Sequence, residues 1–376
     1  MEQGYYVVTF GIEEEFLLTD PRTAAPVTRA AEVIAAMTPG DGKSFTSNAE
    51  FLACQVESTT PICSEPEEAL ASLLDFRERL AAAAADIGLA AAPTGAAPLA
   101  EQGPAVVSET VRYRQMGEMA GGVGDEQYVN GTHVHVAVPS RDQGVQVLNR
   151  LRPWLSTLGA LSTNSPYWHG RDSRFASWRI IHYRRWTVQG FAPYFRSAAD
   201  YDARIARLTA TDVVLDPGHI GWIARLSNTF PTVEVRVADA QLEARDTVLL
   251  ALMIRGLVTT LLAEEGSDPE DSPGALDDPE ILDAGLWQAA RFGLGGNLLD
   301  HGPAGGHQGR TAANQLNALL DYIRPALEDS GDYRYVRAGV AHVLDAGTGA
   351  QRQREAVRRA GFAGLGPLFA QSLTAR

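Results

Sequence analysis

Cysteine is nearly absent: Cys54 and Cys63 are the only two in 376 residues. They form no CxxC pair, which leaves no disulfide framework and no cysteine zinc site. A reducing compartment is the default, and each cysteine reads as a small buried hydrophobe rather than a nucleophile. Basic residues are also scarce, 32 Lys and Arg against 46 Asp and Glu, for a formal net charge of −14. Nucleic-acid binding needs a clustered basic excess, so that partner is not expected. The N-terminus has no basic leader followed by an apolar run, so no signal peptide is expected. The longest apolar stretches are alanine-rich or broken by charges, so no membrane span is expected either. These features fit a cytoplasmic protein. Several catalytic signatures are missing too: there is no GxSxG elbow and no HExxH helix. Gly40-Asp41-Gly42-Lys43-Ser44 ends like a phosphate loop, but position 37, where a glycine is required, is Met37.

What is present is an ordinary globular composition, 45% hydrophobic and 21% charged, in a chain long enough for one large enzyme domain. Residues 1–376 are expected to form a single catalytic domain, with no internal repeat. Strands are expected over Tyr5–Leu18, Phe51–Ser58, Tyr128–Val138 and Thr232–Val237, where apolar and polar residues alternate. Ser64-Glu65-Pro66-Glu67 reads as a capping box opening a helix that runs to about Ile87, where Gly88 stops it. Further helices are expected over Gln143–Asn164, despite Pro153, and over residues 245–264. The Gly- and Pro-rich stretch Ala91–Gly124 and the acidic stretch Glu264–Asp278 read as loops, and most of the remainder as helical. Strands spaced irregularly among helices, without βα alternation, indicate an α+β fold with a largely antiparallel sheet.

Three of these strands share a pattern. In Thr132–Val138 the valines fall on one face, with His133 and His135 on the other. In Val233–Val237 the valines again share a face, opposite Glu234 and Arg236. In Gly11–Phe16, Glu13 and Glu15 lie opposite Ile12 and Phe16. Gln55 and Glu57 occupy the polar face of the second strand, and Glu50 precedes it. A sheet with one solvated face gives the same alternation. If the polar faces converge, however, their carboxylates repel one another, and a divalent cation resolves the conflict. Oxygen-rich ligands with an imidazole suit Mg²⁺ or Mn²⁺.

Several blocks, in order, resemble the glutamate–cysteine ligase type 2 family, which includes carboxylate–amine ligases. They are Phe10–Leu18 (FGIEEEFLL), Asn130–Pro139 (NGTHVHVAVP), Leu161–Arg179 (LSTNSPYWHGRDSRFASWR), Thr232–Asp239 (TVEVRVAD) and the region of Arg291–Leu294 (RFGL). The resemblance implies a glutamine synthetase-like fold: a curved, mainly antiparallel sheet forming a funnel packed by helices. It also implies ATP and Mg²⁺ as cofactors, with Mn²⁺ as an alternative, and small-molecule amino acid and amine substrates. Glu13, Glu15, Glu50, Glu57, His133 and Glu234 match positions of metal ligands. His133 and Arg236 match contacts to the nucleotide phosphates. Arg236 and Glu57 are the candidates for the reaction itself, and Arg171, Arg179 and Arg185 for binding substrate carboxylates. The chain departs from the family at Thr187–Pro193, where the usual pattern is Pro-x-x-Gly-Pro-Pro, and at Ala240–Ala244, which is usually Asp-rich. The first departure puts the usual substrate in question. Two readings compete with the ligase: a metal-dependent amide hydrolase or transferase without ATP, and a non-catalytic nucleotide-binding relative. The acceptor amine and a homo-oligomeric state are left open.

Overall fold

The computed structural model describes residues 8–37, 45–100, 103–264, 278–300 and 309–376. The Gly40–Ser44 stretch, most of the acidic stretch expected as a loop after Glu264, and residues 5–7 of the first expected strand lie outside them. The fold is α+β, built on an open antiparallel sheet of seven strands. These are β1 (Phe10–Thr19), β2 (Thr46–Ala49), β3 (Gln55–Thr59), β4 (Ala90–Ala92), β5 (Gly131–Ala137), β6 (Ala224–Leu226) and β7 (Thr232–Asp239). The order is β6-β7-β5-β1-β3-β2, with β4 pairing along the end of β1. β1 is central, so every polar residue on its open face has strands on both sides.

Alternation in the sequence sets the sidedness. Phe10, Ile12, Val134, Val136, Val233 and Val235 point to one face and pack with Leu148, Leu151, Val248 and Leu252 of the helices Arg141–Leu161 and Ala244–Ala263. Burying each such side chain contributes roughly 1.5–3 kcal/mol. The helix Ala244–Ala263 is long and apolar enough to cross a membrane by length and composition, which corrects the expectation that no segment qualifies. Most of it is buried against other helices of the fold.

Three local expectations shift. The capping box is formed by Glu65 and Glu68, not from Ser64. The Glu68 carboxylate reaches back to accept from the backbone N–H of Glu65, at 3.2 Å. The strand expected over Phe51–Ser58 begins only at Gln55, because Leu52–Gln55 is a turn: the N–H of Gln55 donates to the Leu52 carbonyl at 2.8 Å. The Gly- and Pro-rich stretch expected as loops contains a helix, Val111–Ala120, capped by the Thr110 hydroxyl. Its apolar face, Tyr113, Met116 and Ala120, is short and only partly buried, a weak signal in the sequence.

Candidate active site

Register brings the polar faces together. In the β1–β5 pairing Glu13 stands opposite His133 and Gly11 opposite His135. In β1–β3 Glu15 stands opposite Glu57, and in β5–β7 His135 stands opposite Glu234. The β5–β7 register then shifts, so that Arg236 and Val237 together face His133. Such a bulge re-aims a side chain, here the Arg236 guanidinium, over the histidine. Its NH1 lies 3.3 Å from His133 Nδ1, and NH1 also pairs with Glu234.

Glu13 is the centre of the strip. Its Oε2 is 2.9 Å from His133 Nδ1, and its Oε1 is 3.3 Å from His135 Nε2. Burial pushes the Glu13 carboxyl up, but the two histidines reverse this and hold it far below the usual carboxylate range. Glu234 behaves alike: burial raises it, and Arg236 and Arg225 pull it well below normal. The other carboxylates go the opposite way. Burial and the neighbouring Glu50 push Glu15 up to about 7. Burial, then Glu50, Glu13 and Glu15, raise Glu57 strongly, and burial raises Glu50. Burial and Arg236 lower His133 to about 4, so its imidazole is neutral at pH 7.

This arrangement fits divalent cations. Two groups of three donors have ligand atoms within 4.8 Å of one another: Glu13, His135 and Glu234, and Glu13, Glu57 and His133. Glu13 belongs to both. His135 turns its buried Nε2 toward Glu13 Oε1, while Nδ1 is engaged by the Thr232 hydroxyl at 3.0 Å. A ring fixed through one nitrogen and aimed with the other is how imidazole ligands are held. Carboxylates that repel one another while buried are what a cation neutralises.

Beside the strip lies a cleft. Glu15, Gln55, His133 and Arg236 line it from the sheet, and Tyr113, Met116, Arg179, Tyr183, Trp186 and His219 are among the residues that line it from the helices and turns above. Glu50 sits at the cleft with its carboxylate accepting from the Tyr113 hydroxyl at 2.9 Å. Glu15 accepts from the Gly131 N–H at 2.6 Å. Gly131 is needed there, because a Cβ would stand 2.3 Å from Arg179 NH2.

Of the three arginines singled out in the sequence, Arg179 is buried and lines this cleft. Arg171 is exposed, in a two-residue ladder with Trp168, and does not line it. Arg185 pairs with Glu126 at 2.6 Å and lines a neighbouring hollow beyond Trp186. Glu13, Glu15, Glu50, Glu57, His133, Glu234 and Arg236 share one region of the sheet. The departure at Thr187–Pro193 does border the cleft, through Gln189. The sequence reading assigned no role to His135, although its two-residue spacing from His133 was the available signal. It also passed over Tyr113, His219 and Arg225, which carry no local signature.

The fold is one shared with solved structures of a ligase and of a synthetase. The structure superimposes on a glutamate–cysteine ligase from Francisella tularensis in complex with AMP, with TM-score 0.71, 14% identity, and coverage of 98% of this chain and 89% of that one. It also superimposes on a bifunctional glutathione synthetase from Pasteurella multocida, with TM-score 0.68, 16% identity, and coverage of 98% of this chain and 52% of that one. The chain belongs to glutamate–cysteine ligase family 2, whose sequence profile matches residues 9–366. Relatives include the "Putative glutamate--cysteine ligase 2-2" of Mycolicibacterium vanbaalenii, 42% identical over 94% of both chains. Another is the "Putative glutamate--cysteine ligase 2-3" of Mycolicibacterium smegmatis, 40% identical over 93% of this chain and 94% of the relative.

Proposed function

We propose that this chain is a single-domain, cytoplasmic, ATP- and Mg²⁺-dependent carboxylate–amine ligase that forms an amide bond, γ-glutamyl in character, through an acyl phosphate. One observation carries the reading: Glu13 serves two adjacent three-donor groups, with Arg236 beside them at the edge of the cleft. A carboxylate is a poor electrophile, and phosphorylation makes it one that an amine can attack. Phosphoryl transfer is mainly positioning and charge neutralisation. Glu13, Glu15, Glu50, Glu57, His133, His135 and Glu234 would hold Mg²⁺ or Mn²⁺, which would supply that neutralisation.

The chain's own groups do the rest. Arg236 presents its fork to the transferred oxygens, a geometry suited to phosphate. Arg179, held against the Arg236 carbonyl at 3.2 Å, is placed to receive a substrate carboxylate. Arg171 and Arg185 lie outside this cleft and are not assigned a substrate contact there. Neutral His133 and protonation-prone Glu57 are available as hydrogen-bond partners near neutral pH. Trp186, with its N–H satisfied by Gln127 at 2.6 Å, closes one wall and helps keep water from the acyl phosphate.

The test is incubation with ATP, Mg²⁺, glutamate and a panel of amines including cysteine, followed by mass spectrometry. A γ-glutamyl amide formed only when ATP is present supports the ligase. Hydrolysis of a supplied amide without ATP use would support the hydrolase instead.

A further inference from the structure

We infer that Arg225 is a positioning residue that fixes Glu234 for cation binding and ties it to the turn forming one wall of the cleft. Arg225 stands directly opposite Glu234 in the β6–β7 register. Its Nε donates to Glu234 Oε2 at 2.7 Å and its NH2 to Oε1 at 3.2 Å, a two-point fork. Its NH1 donates to the carbonyls of Ile220, at 2.7 Å, and Gly218, at 3.0 Å. All three guanidinium nitrogens are therefore engaged, two by the carboxylate and one by main chain. The turn they grip, Pro217–His219, carries Gly218 and His219 to the edge of the cleft.

The second arginine on Glu234 is held differently. The side chain of Arg236 bonds to other side chains, namely Glu234, His133 and the Tyr183 hydroxyl at 3.4 Å. Its Nε is buried without a partner among the described residues. Arg236 thus has few fixed anchors and is free to exchange Glu234 for a ligand. Arg225 is anchored to carbonyls that do not move away independently of the turn. An ionised carboxylate has about four acceptor sites, so a fork on one edge leaves capacity for a cation and for Arg236. Without Arg225, Glu234 is buried with Arg236 as its remaining arginine partner. The cation must then displace that arginine from a carboxylate that no other hydrogen bond among the described residues orients. Lysine is no substitute, because one ammonium cannot make the fork and also reach two carbonyls.

The inference rests on the cation-binding reading above, so the experiment begins with wild-type protein. Mn²⁺ is titrated into the nucleotide-free protein and followed by the loss of free-Mn²⁺ EPR signal, then into Arg225→Gln and Arg225→Lys. Removal of groups that orient metal ligands typically lowers affinity about 10–100-fold. A loss in that range for both variants, with native circular dichroism, is the expected result. Arg225→Lys keeps the charge, so it carries the test if Arg225→Gln fails to fold. Variants that melt earlier yet bind Mn²⁺ as tightly as wild type would overturn the inference and leave Arg225 a fold-stabilising residue. Wild-type protein that binds no Mn²⁺ would instead overturn the cation-binding reading itself.

Discussion

Glu13 and His133 face each other across β1 and β5, with Glu13 Oε2 2.9 Å from His133 Nδ1, and the other oxygen of the same carboxylate faces His135. One side chain thereby joins both donor groups of the site. Glu13→Gln keeps the size and loses the charge. The expected outcome is loss of Mn²⁺ binding at both groups and a fall in amide formation of about 10²-fold or more. Mn²⁺ titration and product formation check it, and the melting temperature of the cation-free protein should fall at neutral pH, because the ionised carboxylate is the form that His133 and His135 stabilise.

Arg236 contributes chemistry rather than packing. Arg236→Lys retains a positive charge without the planar fork, and the expected effect is a drop in kcat of about 10²-fold with a smaller change in the KM for ATP. Steady-state kinetics at saturating Mg²⁺ separate the two parameters.

The pH dependence of the cation-free protein follows from Glu15. Its carboxyl is pushed from 4.5 to about 7 by burial and then by Glu50. Between those values the folded state binds more protons than the unfolded state, so stability falls as pH rises through this window. A cation that neutralises the carboxylates removes the penalty. Mg²⁺ is therefore expected to raise the melting temperature more at pH 8 than at pH 5.5. Thermal melts with and without Mg²⁺ at both pH values check this.

On the opposite face of β1, Glu14 makes a fully buried fork with Arg77, at 2.9 and 2.6 Å, and Arg77 also donates to the Gln241 and Leu242 carbonyls. Removing one partner leaves an uncompensated buried charge. Arg77→Met is expected to lower stability by about 3–5 kcal/mol. Adding Glu14→Met should recover part of that loss. Urea unfolding of the single and double variants measures both.

The sequence revealed the half of this architecture that alternation encodes. Val134, Val136, Val233 and Val235 announced the core face, and His133, Glu234 and Arg236 the open one. The family blocks supplied the residues expected to gather at the site. What stayed hidden depends on register. Alternation puts Glu14 on the face of Ile12 and Phe16, but its partner there, Arg77 of a helix over 60 residues away, has no local signal. Arg225 meets Glu234 only once β6 pairs with β7. Tyr113 reaches Glu50 from a helix whose apolar face, Tyr113, Met116 and Ala120, is short and only partly buried. Arg171, by contrast, lies in a block shared with the family and is exposed outside the cleft, because it falls on the outward end of a two-residue ladder.

The most direct measurement uses glutamate labelled with ¹⁸O in its γ-carboxylate, incubated with ATP, Mg²⁺ and an accepted amine. If the carboxylate is activated as an acyl phosphate, one ¹⁸O atom is transferred to the inorganic phosphate for each amide formed, and ADP accumulates in step. Label appearing in AMP would mean an acyl adenylate. Amide formed with no label in any phosphorus product would contradict carboxylate activation by ATP altogether.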